Sequence, residues 1–482
     1  MPKPRGGQKQ RPLRSGATFA VMAAAVLAAT PASAQTLTEA FAYTYNNNPQ
    51  ILAQRALLRS TDEQVPQALA NWRPTVTLTG TAGFERAGVA ARGTSTQFSS
   101  FEPRAADLRI TQPLYRGGRT EAQTRQAINT VQATRAQTLG VETQVFQAVA
   151  QSYLDVVRDQ TLVEVNRNNE QVLRRQLEAT QDRFRVGEVT RTDVAQAESQ
   201  LAQATAQRIN AEGQLEVSRA NYARAVGHPP GRLVQPRERP VLPATRDEAL
   251  ALAANNNPNV ISAMFAELAA RDNIDLVRGQ LLPTINLIGD LSRSFAPSVV
   301  QQTNRQDTAS AVLQLTMPLY EGGAIWSQTR AAEQTVGQRR GQLDDARRVA
   351  VQQATQAWET LQSARAAITS FGAAVRAAQI ALEGIQQEAL VGSRTVLDVL
   401  ISEQQLFTTQ SQLVGAQHDS ALAEFNLAAA MGRLIAPELR LPVQLYDMER
   451  HYRAVKDKWL GFGGGLTHRI HDEGGFRVAE VA

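Results

Sequence analysis

The side chains that could do chemistry in this 482-residue sequence are few, and none is assembled for catalysis. There is no cysteine, which excludes disulfides, thiolate metal ligands and thiol nucleophiles. The five histidines, His228, His418, His451, His468 and His471, are scattered without metal-ligand spacing, so no metal site is assigned. No Gly-x-x-x-x-Gly-Lys phosphate loop and no nucleophile elbow occurs, so the sequence predicts neither an enzyme nor a bound cofactor. What recurs is a charged turn. It reads Phe184-Arg185-Val186-Gly187-Glu188-Val189-Thr190-Arg191-Thr192-Asp193-Val194 once, and Ala389-Leu390-Val391-Gly392-Ser393-Arg394-Thr395-Val396-Leu397-Asp398-Val399-Leu400 the second time. Gly187 and Gly392 suit a reversal through positive φ, and Asp193 or Asp398 can cap and complement the positive start of a following helix. Tyr115, Tyr320, Tyr153 and Trp358 read as packing or interface anchors rather than ligand sites.

The elements that position these turns come from an internal duplication. Asn46-Asn47-Asn48-Pro49 returns as Asn255-Asn256-Asn257-Pro258, and Pro74-Thr75-Val76 as Pro283-Thr284-Ile285, both 209 positions later. Pro113-Leu114-Tyr115-Arg116-Gly117-Gly118 then matches Pro318-Leu319-Tyr320-Glu321-Gly322-Gly323 at an offset of 205, which holds through Gly227 and Gly432. The expected units are a first repeat over 35–240 and a second over 241–436, with a tail over 437–482 whose end is expected to be disordered. In each unit Asn48 or Asn257 caps a helix with proline at its first position, and that helix runs to about residue 70 or 280. A β-hairpin follows at about 75–112 or 284–317, with Val76, Leu78, Gly80, Ala82 and Phe84 alternating against threonines, and Ile285, Leu287 and Leu291 against Thr284, Asn286 and Ser292. After the Gly-Gly turn a long helix is predicted over about 119–184 or 324–390. Val141, Val145, Val149 and Tyr153 mark one of its faces, and at this length it would reach roughly 100 Å. A shorter helix returns over about 193–226 or 396–431.

Residues 1–34 have the layout of a secretory signal peptide: Lys3, Arg5, Lys9, Arg11 and Arg14, an apolar run from Ala17 to Ala29, and Ala32-Ser33-Ala34 before an expected cut at Gln35. Removing those five basic residues brings the 50 Lys+Arg to 45, equal to the 45 Asp+Glu, so the mature chain is formally neutral and a nucleic-acid partner loses its support. No later stretch is apolar enough for a membrane helix. Strands of about ten residues can cross an outer membrane when tilted, yet two hairpins supply four strands and the smallest usual barrel needs about eight. No strand edge can stay unpaired in hydrocarbon, so closure requires several chains.

With the duplication, the Asn-Pro helix start, the Pro-Leu-Tyr-x-Gly-Gly strand exit and the Val-Gly-x-x-x-x-x-Asp-Val turn in hand, the chain resembles the TolC-like outer-membrane efflux proteins over about residues 36–450. That resemblance implies a mainly α fold with a small β part. Long antiparallel coiled coils and four membrane strands per chain would close, in a homotrimer, as a twelve-stranded β-barrel on an α-barrel. It implies a passive exit duct of a tripartite efflux or type I secretion system in the outer membrane, in contact with its lipid, extending into the periplasm. The duct would be docked by a periplasmic membrane-fusion adaptor and powered by an inner-membrane pump of ABC, RND or MFS type. It also implies a gate in which Arg394 bonds across to Asp193 of a neighbouring protomer, helped by Thr192, while Asp398 forms a carboxylate ring in the lumen favouring cations. Such a wet pair is weak, which suits a gate that must open. Ala389 and Ile401 depart from the familiar pattern of a gating Tyr and a second Asp ring, so a looser gate and a milder cation preference are expected. The competing reading is a non-channel periplasmic coiled-coil adaptor or spacer, which would have no use for two membrane-length hairpins.

Overall fold

The computed structural model describes residues 35–89, 97–236, 238–295 and 304–461; the signal-peptide segment and the end of the tail lie outside the described residues. α1 (Leu37–Asn47) opens with a capping box between Thr36 and Glu39. Asn48 then caps α2 (Pro49–Asp62), its Oδ1 accepting from the backbone N–H of Gln50 at 2.9 Å. The first-copy helix does not run unbroken to residue 70. It breaks at Glu63 and resumes as α3 (Gln64–Leu69), because Pro66 has no N–H to give the carbonyl of Asp62 and its ring crowds that carbonyl. In the second copy Thr245 caps α6 (Arg246–Asn256) and Asn257 caps α7 (Pro258–Arg278), which has no such proline and continues intact.

The strands form one open antiparallel sheet in the order β1 (Thr75–Ala82), β4 (Arg104–Tyr115), β5 (Thr284–Phe295), β6 (Arg305–Thr316). The two repeats are joined by the β4–β5 pairing, whose register shifts between Pro113 and Tyr115. A separate ribbon, β2 (Glu85–Val89) with β3 (Gln97–Phe101), continues the first hairpin beyond Gly83 and Pro103. Cross-strand register sorts most side chains by character, with Ile288 and Val312 the apolar exceptions on the polar face. Val76 pairs with Ile110, Leu78 with Leu108, Leu108 with Leu291, Leu287 with Leu313 and Ile285 with Leu315, all on one face. The other face carries Thr75, Thr77, Arg109, Asp107, Asp290, Ser292, Ser310 and Thr308, with an Arg109–Asp290 ion pair at 2.8 Å. Every residue of β1 and β6 is exposed in the single chain, the apolar ones included.

From the Gly-Gly turns, α4 (Arg119–Arg185) and α8 (Ala324–Leu390) each run 67 residues, and α5 (Arg191–Val226) and α9 (Val396–Ala430) return antiparallel to them. Small buried residues, among them Ala350, Ala354 and Ala364 on α8, let the helices approach closely. The largest core lies at the waist, where Phe41, Tyr45, Phe146, Tyr153, Tyr222 and Phe425 gather and the Phe41 and Phe146 ring centroids stand 5.0 Å apart. Val145, Val149 and Tyr153 are fully or nearly buried there, with Val141 packed against them. The Tyr153 hydroxyl lies 2.9 Å from the carbonyl of Gln35 and 2.7 Å from that of Val234, tying the start of the described chain to the connector between repeats.

Past the waist, the segment after Ala436 lies along α2 and α4 as a strap. The Ala436 N–H donates to Glu142 Oε1 at 2.6 Å, and burial pushes the Glu142 carboxyl above its usual range, with the Ala436 N–H and Arg55 opposing. Arg55 stacks over Tyr446 and Arg135 over Tyr452 of α10 (Arg450–Val455). Arg73 donates to the carbonyl of Lys458 at 2.6 Å and covers the ring of Trp459. No helix among the described residues is long and apolar enough to cross a membrane.

Candidate functional site at the helical tips

The two charged turns lie at the ends of the coiled coils farthest from the sheet. α4 closes at Val186, and Gly187 reverses the chain at φ 82°, with Gly187 N–H donating to the Phe184 carbonyl and Glu188 N–H to that of Arg183. α8 ends the same way through Gly392 at φ 80°. Both angles lie in the left-handed region, where a Cβ would clash with its own backbone.

Neither aspartate is itself the cap. Thr190 and Thr395 hold the cap positions, and Asp193 and Asp398 sit three residues on, completing capping boxes. Asp193 Oδ2 accepts from the Thr190 N–H and hydroxyl, both at 2.8 Å; Asp398 Oδ2 accepts from the Thr395 N–H and hydroxyl, both at 2.9 Å. Donation by the Thr395 backbone, then by its hydroxyl, holds the Asp398 carboxyl below the usual carboxylate range. Thr192 is exposed in the first turn of α5.

Arg394 does not meet Asp193 within one chain. Its Nε donates to Glu388 Oε2 at 2.8 Å, across the turn that Gly392 makes, and this bond raises the guanidinium pKa. The two tips nevertheless stand side by side, because Val396 and Leu400 of α9 pack with Leu173, Ala197 and Ala204 of the other coil. Glu388 and the two threonine caps are the site residues that sequence reasoning missed. The threonines carried a signal, a Thr three residues before each Asp, whereas Glu388 becomes a partner only once the turn folds six residues back on themselves. A further carboxylate, Glu403, is buried between α8 and α9 with Gln386 donating to it at 3.1 Å, and burial raises its pKa.

The aromatic anchors divide. Tyr153 is buried at the waist and Trp358 packs on the Leu361 cluster, whereas Tyr115 and Tyr320 are exposed at the helical end of the sheet. Among the described residues no three His, Asp or Glu side chains converge to hold a metal; His468 and His471 lie outside them.

The sequence profile of the outer membrane efflux protein family matches residues 44–228 and again 249–433, the two copies of the repeat. The chain belongs to that family. It is similar to the outer membrane efflux protein BepC of Brucella suis, with 33% identity over 92% of this chain and 96% of the relative. It is also similar to the outer membrane protein TolC of Vibrio cholerae, with 27% identity over 89% and 96% of the two chains. The fold matches the solved outer membrane protein VceC of Vibrio cholerae at a TM-score of 0.72, over 82% of this chain and 96% of that one, at 20% identity. The resemblance drawn from the tip and strand motifs therefore holds across the molecule. This efflux-family protein resides in the outer membrane and extends into the periplasm, and membership in a transport family stands against the adaptor-or-spacer reading.

Proposed function

We propose that three copies of this chain close into one channel of twelve strands standing on a helical tube, the passive exit duct of a tripartite efflux or type I secretion system. The carrying observation is the open sheet: one face apolar, the other polar, and two unpaired edges, β1 and β6. An apolar outer face suits lipid and a polar inner face suits a water-filled lumen, and pairing β6 of one copy with β1 of the next removes both edges. The membrane-fusion adaptor would dock at the tips, and the inner-membrane pump would supply the energy through it. A crosslink from Glu188 or Ser393 would identify the adaptor. Residues 1–34 would direct export and be cut before Gln35, a position whose N–H and carbonyl are both engaged by the folded waist.

At the tip, Arg394 would exchange its exposed partner Glu388 for Asp193 of the neighbouring copy. The Asp193 capping box uses Oδ2, which leaves Oδ1 to accept a guanidinium. Asp398 would stand as a ring of three carboxylates, kept charged by Thr395. Single-channel conductance in a planar bilayer tests both levels. Wild type is expected to insert and conduct weakly, and the Asp193→Ala, Arg394→Ala double mutant to conduct substantially more. Equal conductance would remove the gate and keep the channel; no conductance from either protein would remove the channel.

A further inference from the structure

At the end of the sheet away from the helices, the apolar face changes character abruptly. Below this level it presents Ile110 and Leu108 on β4, Leu287 and Leu291 on β5, and Leu315, Leu313, Ala311 and Ala309 on β6. The next positions on the same face are Arg104, Arg293, Arg305 and Asp307, with Phe295 paired to Arg104 on one side and to Arg305 on the other. Arg293 sits one step below, paired with Ala106 and Asp307. From Met317 to Ala309 the apolar stretch is roughly 20 Å tall once strand tilt is included, so the guanidiniums stand where a bilayer's hydrocarbon gives way to headgroups. Because the helices extend into the periplasm, this is the outer leaflet.

The three guanidiniums are matched by two carboxylates. Arg104 pairs with Glu102 at 2.7 Å, Arg293 with Asp307 at 2.8 Å, and Arg305 donates to that same Asp307 at 2.9 Å. One positive charge per chain is left over, and all three arginine side chains keep half or more of their surface open. The polar face differs: Arg109 there has Asp290 to itself. A shallow concavity of about 440 Å³ opens beside them, lined by Glu102, Arg104, Ala105, Ala106, Arg293 and Phe295. Exposed ion pairs add little to stability, so the fold alone gives no reason to place three arginines at the rim of a lipid-facing surface. Planar guanidiniums bind phosphate oxygens in pairs, and Phe295 between two of them offers an apolar seat beside the anion.

We propose that Arg104, Arg293 and Arg305 form a binding site for the phosphorylated headgroup of an outer-leaflet glycolipid. The site rests on the apolar face lying against lipid, as the closed barrel requires. Shared face, and not charge alone, selects a lipid over free phosphate, because the guanidiniums project to the side that the apolar band presents to the bilayer.

The test is native mass spectrometry of the detergent-solubilised full-length mature protein with bisphosphorylated lipid A, with dephosphorylated lipid A, and with bisphosphorylated lipid A plus excess inorganic phosphate. Wild type is expected to retain the bisphosphorylated lipid in preference to the dephosphorylated one, with inorganic phosphate competing poorly. R104Q/R293Q/R305Q is expected to lose the adduct about tenfold, while R109Q on the polar face keeps it. Equal retention of both lipids, full competition by inorganic phosphate, or an undiminished adduct in the triple variant overturns the site. Should the triple variant fail to fold, the two lipids on wild type decide alone. A protein that conducts in bilayers but shows no lipid preference loses this site only; one that never inserts loses the barrel reading with it.

Discussion

At the residue scale the tip contains two roles for the same carboxylate, and they can be separated. Asp398 closes a capping box with Thr395 whether or not it lines a lumen. Thr395→Ala deletes that cap, costing about 1 kcal/mol of local helix stability, but leaves the carboxylate. Reversal potentials in a salt gradient should therefore move toward zero cation preference in Asp398→Asn and stay near wild type in Thr395→Ala; if both shift alike, the ring acts only as a cap. Glu388 gives a prediction of opposite sign to the gate mutant. Within a chain it holds Arg394 at 2.8 Å, in competition with the neighbour's Asp193, so Glu388→Ala should lower conductance where Arg394→Ala raises it. A rise in both would mean that Glu388 supports the closed tip instead of competing with it. The glycine reversals were legible in the sequence because each follows from one residue's own stereochemistry, and so was the place of the aspartates in the first helical turn, from their charge; the capping position itself fell to Thr190 and Thr395. Glu388 was not legible, because its role depends on a turn that folds six residues back on themselves and brings its carboxylate to Arg394.

At the scale of elements, the helices were legible where one rule governed them and opaque where two met. Asn48 with Pro49 announced a helix start, and the four-residue spacing of Val145, Val149 and Tyr153 announced a buried face. Pro66 breaks the helix at Glu63, yet the backbone there stays in the right-handed helical region, so the pattern reads as one helix. Contacts between elements were out of reach, and the waist holds one with a pH signature. His418 of α9 stands 3.0 Å from Asp155 of α4 and 2.9 Å from Asp419, with Arg158 close by. The Asp155 approach is off the ring's donor direction, so it acts as an ion pair more than as an aligned hydrogen bond. Burial alone would lower the imidazolium's pKa; the two aspartates outweigh it, and the net shift is upward from 6.5. A raised pKa gives stability that is fully present below 6.5 and lost as pH climbs through the folded value. The wild-type melting temperature should fall across that window relative to His418→Asn, and parallel curves would remove the clasp. The strap is testable through an accident of composition: Lys456 and Lys458 are the only lysines after residue 34. A lysine-specific protease therefore reports on the strap alone, and Arg73→Ala, which frees the Lys458 carbonyl and uncovers Trp459, should speed cleavage several-fold.

At the scale of the whole molecule the decisive fact is an inversion. A soluble sheet turns its apolar face to a core, but here Leu78, Leu291, Leu313 and Leu315 stand more than half exposed, and among the described residues no layer covers them. Alternation in the sequence revealed that two faces existed; it could not tell which would be covered, because that depends on solvent and on copies of the chain. Nor could it join the two hairpins into one sheet, since β4 and β5 pair across a separation of some 180 residues with a register shift at Pro113. The native absence of cysteine makes the inversion measurable, because any thiol introduced will be the only one. Ser292 and Leu291 are neighbours on β5 and point to opposite faces. If the polar face lines a water-filled lumen and the apolar face meets lipid, Ser292→Cys in reconstituted membranes should react with a charged, water-soluble maleimide many times faster than Leu291→Cys. In a soluble sheet with no lipid on either side that order would vanish or reverse, since in the single chain Leu291 is exposed and Ser292 half-buried. The same two variants on denaturing gels without boiling should migrate as a trimer, because a β1 edge left without β6 of a neighbour has no place in hydrocarbon. A monomer that shows the asymmetric labelling would instead require another way of covering those edges.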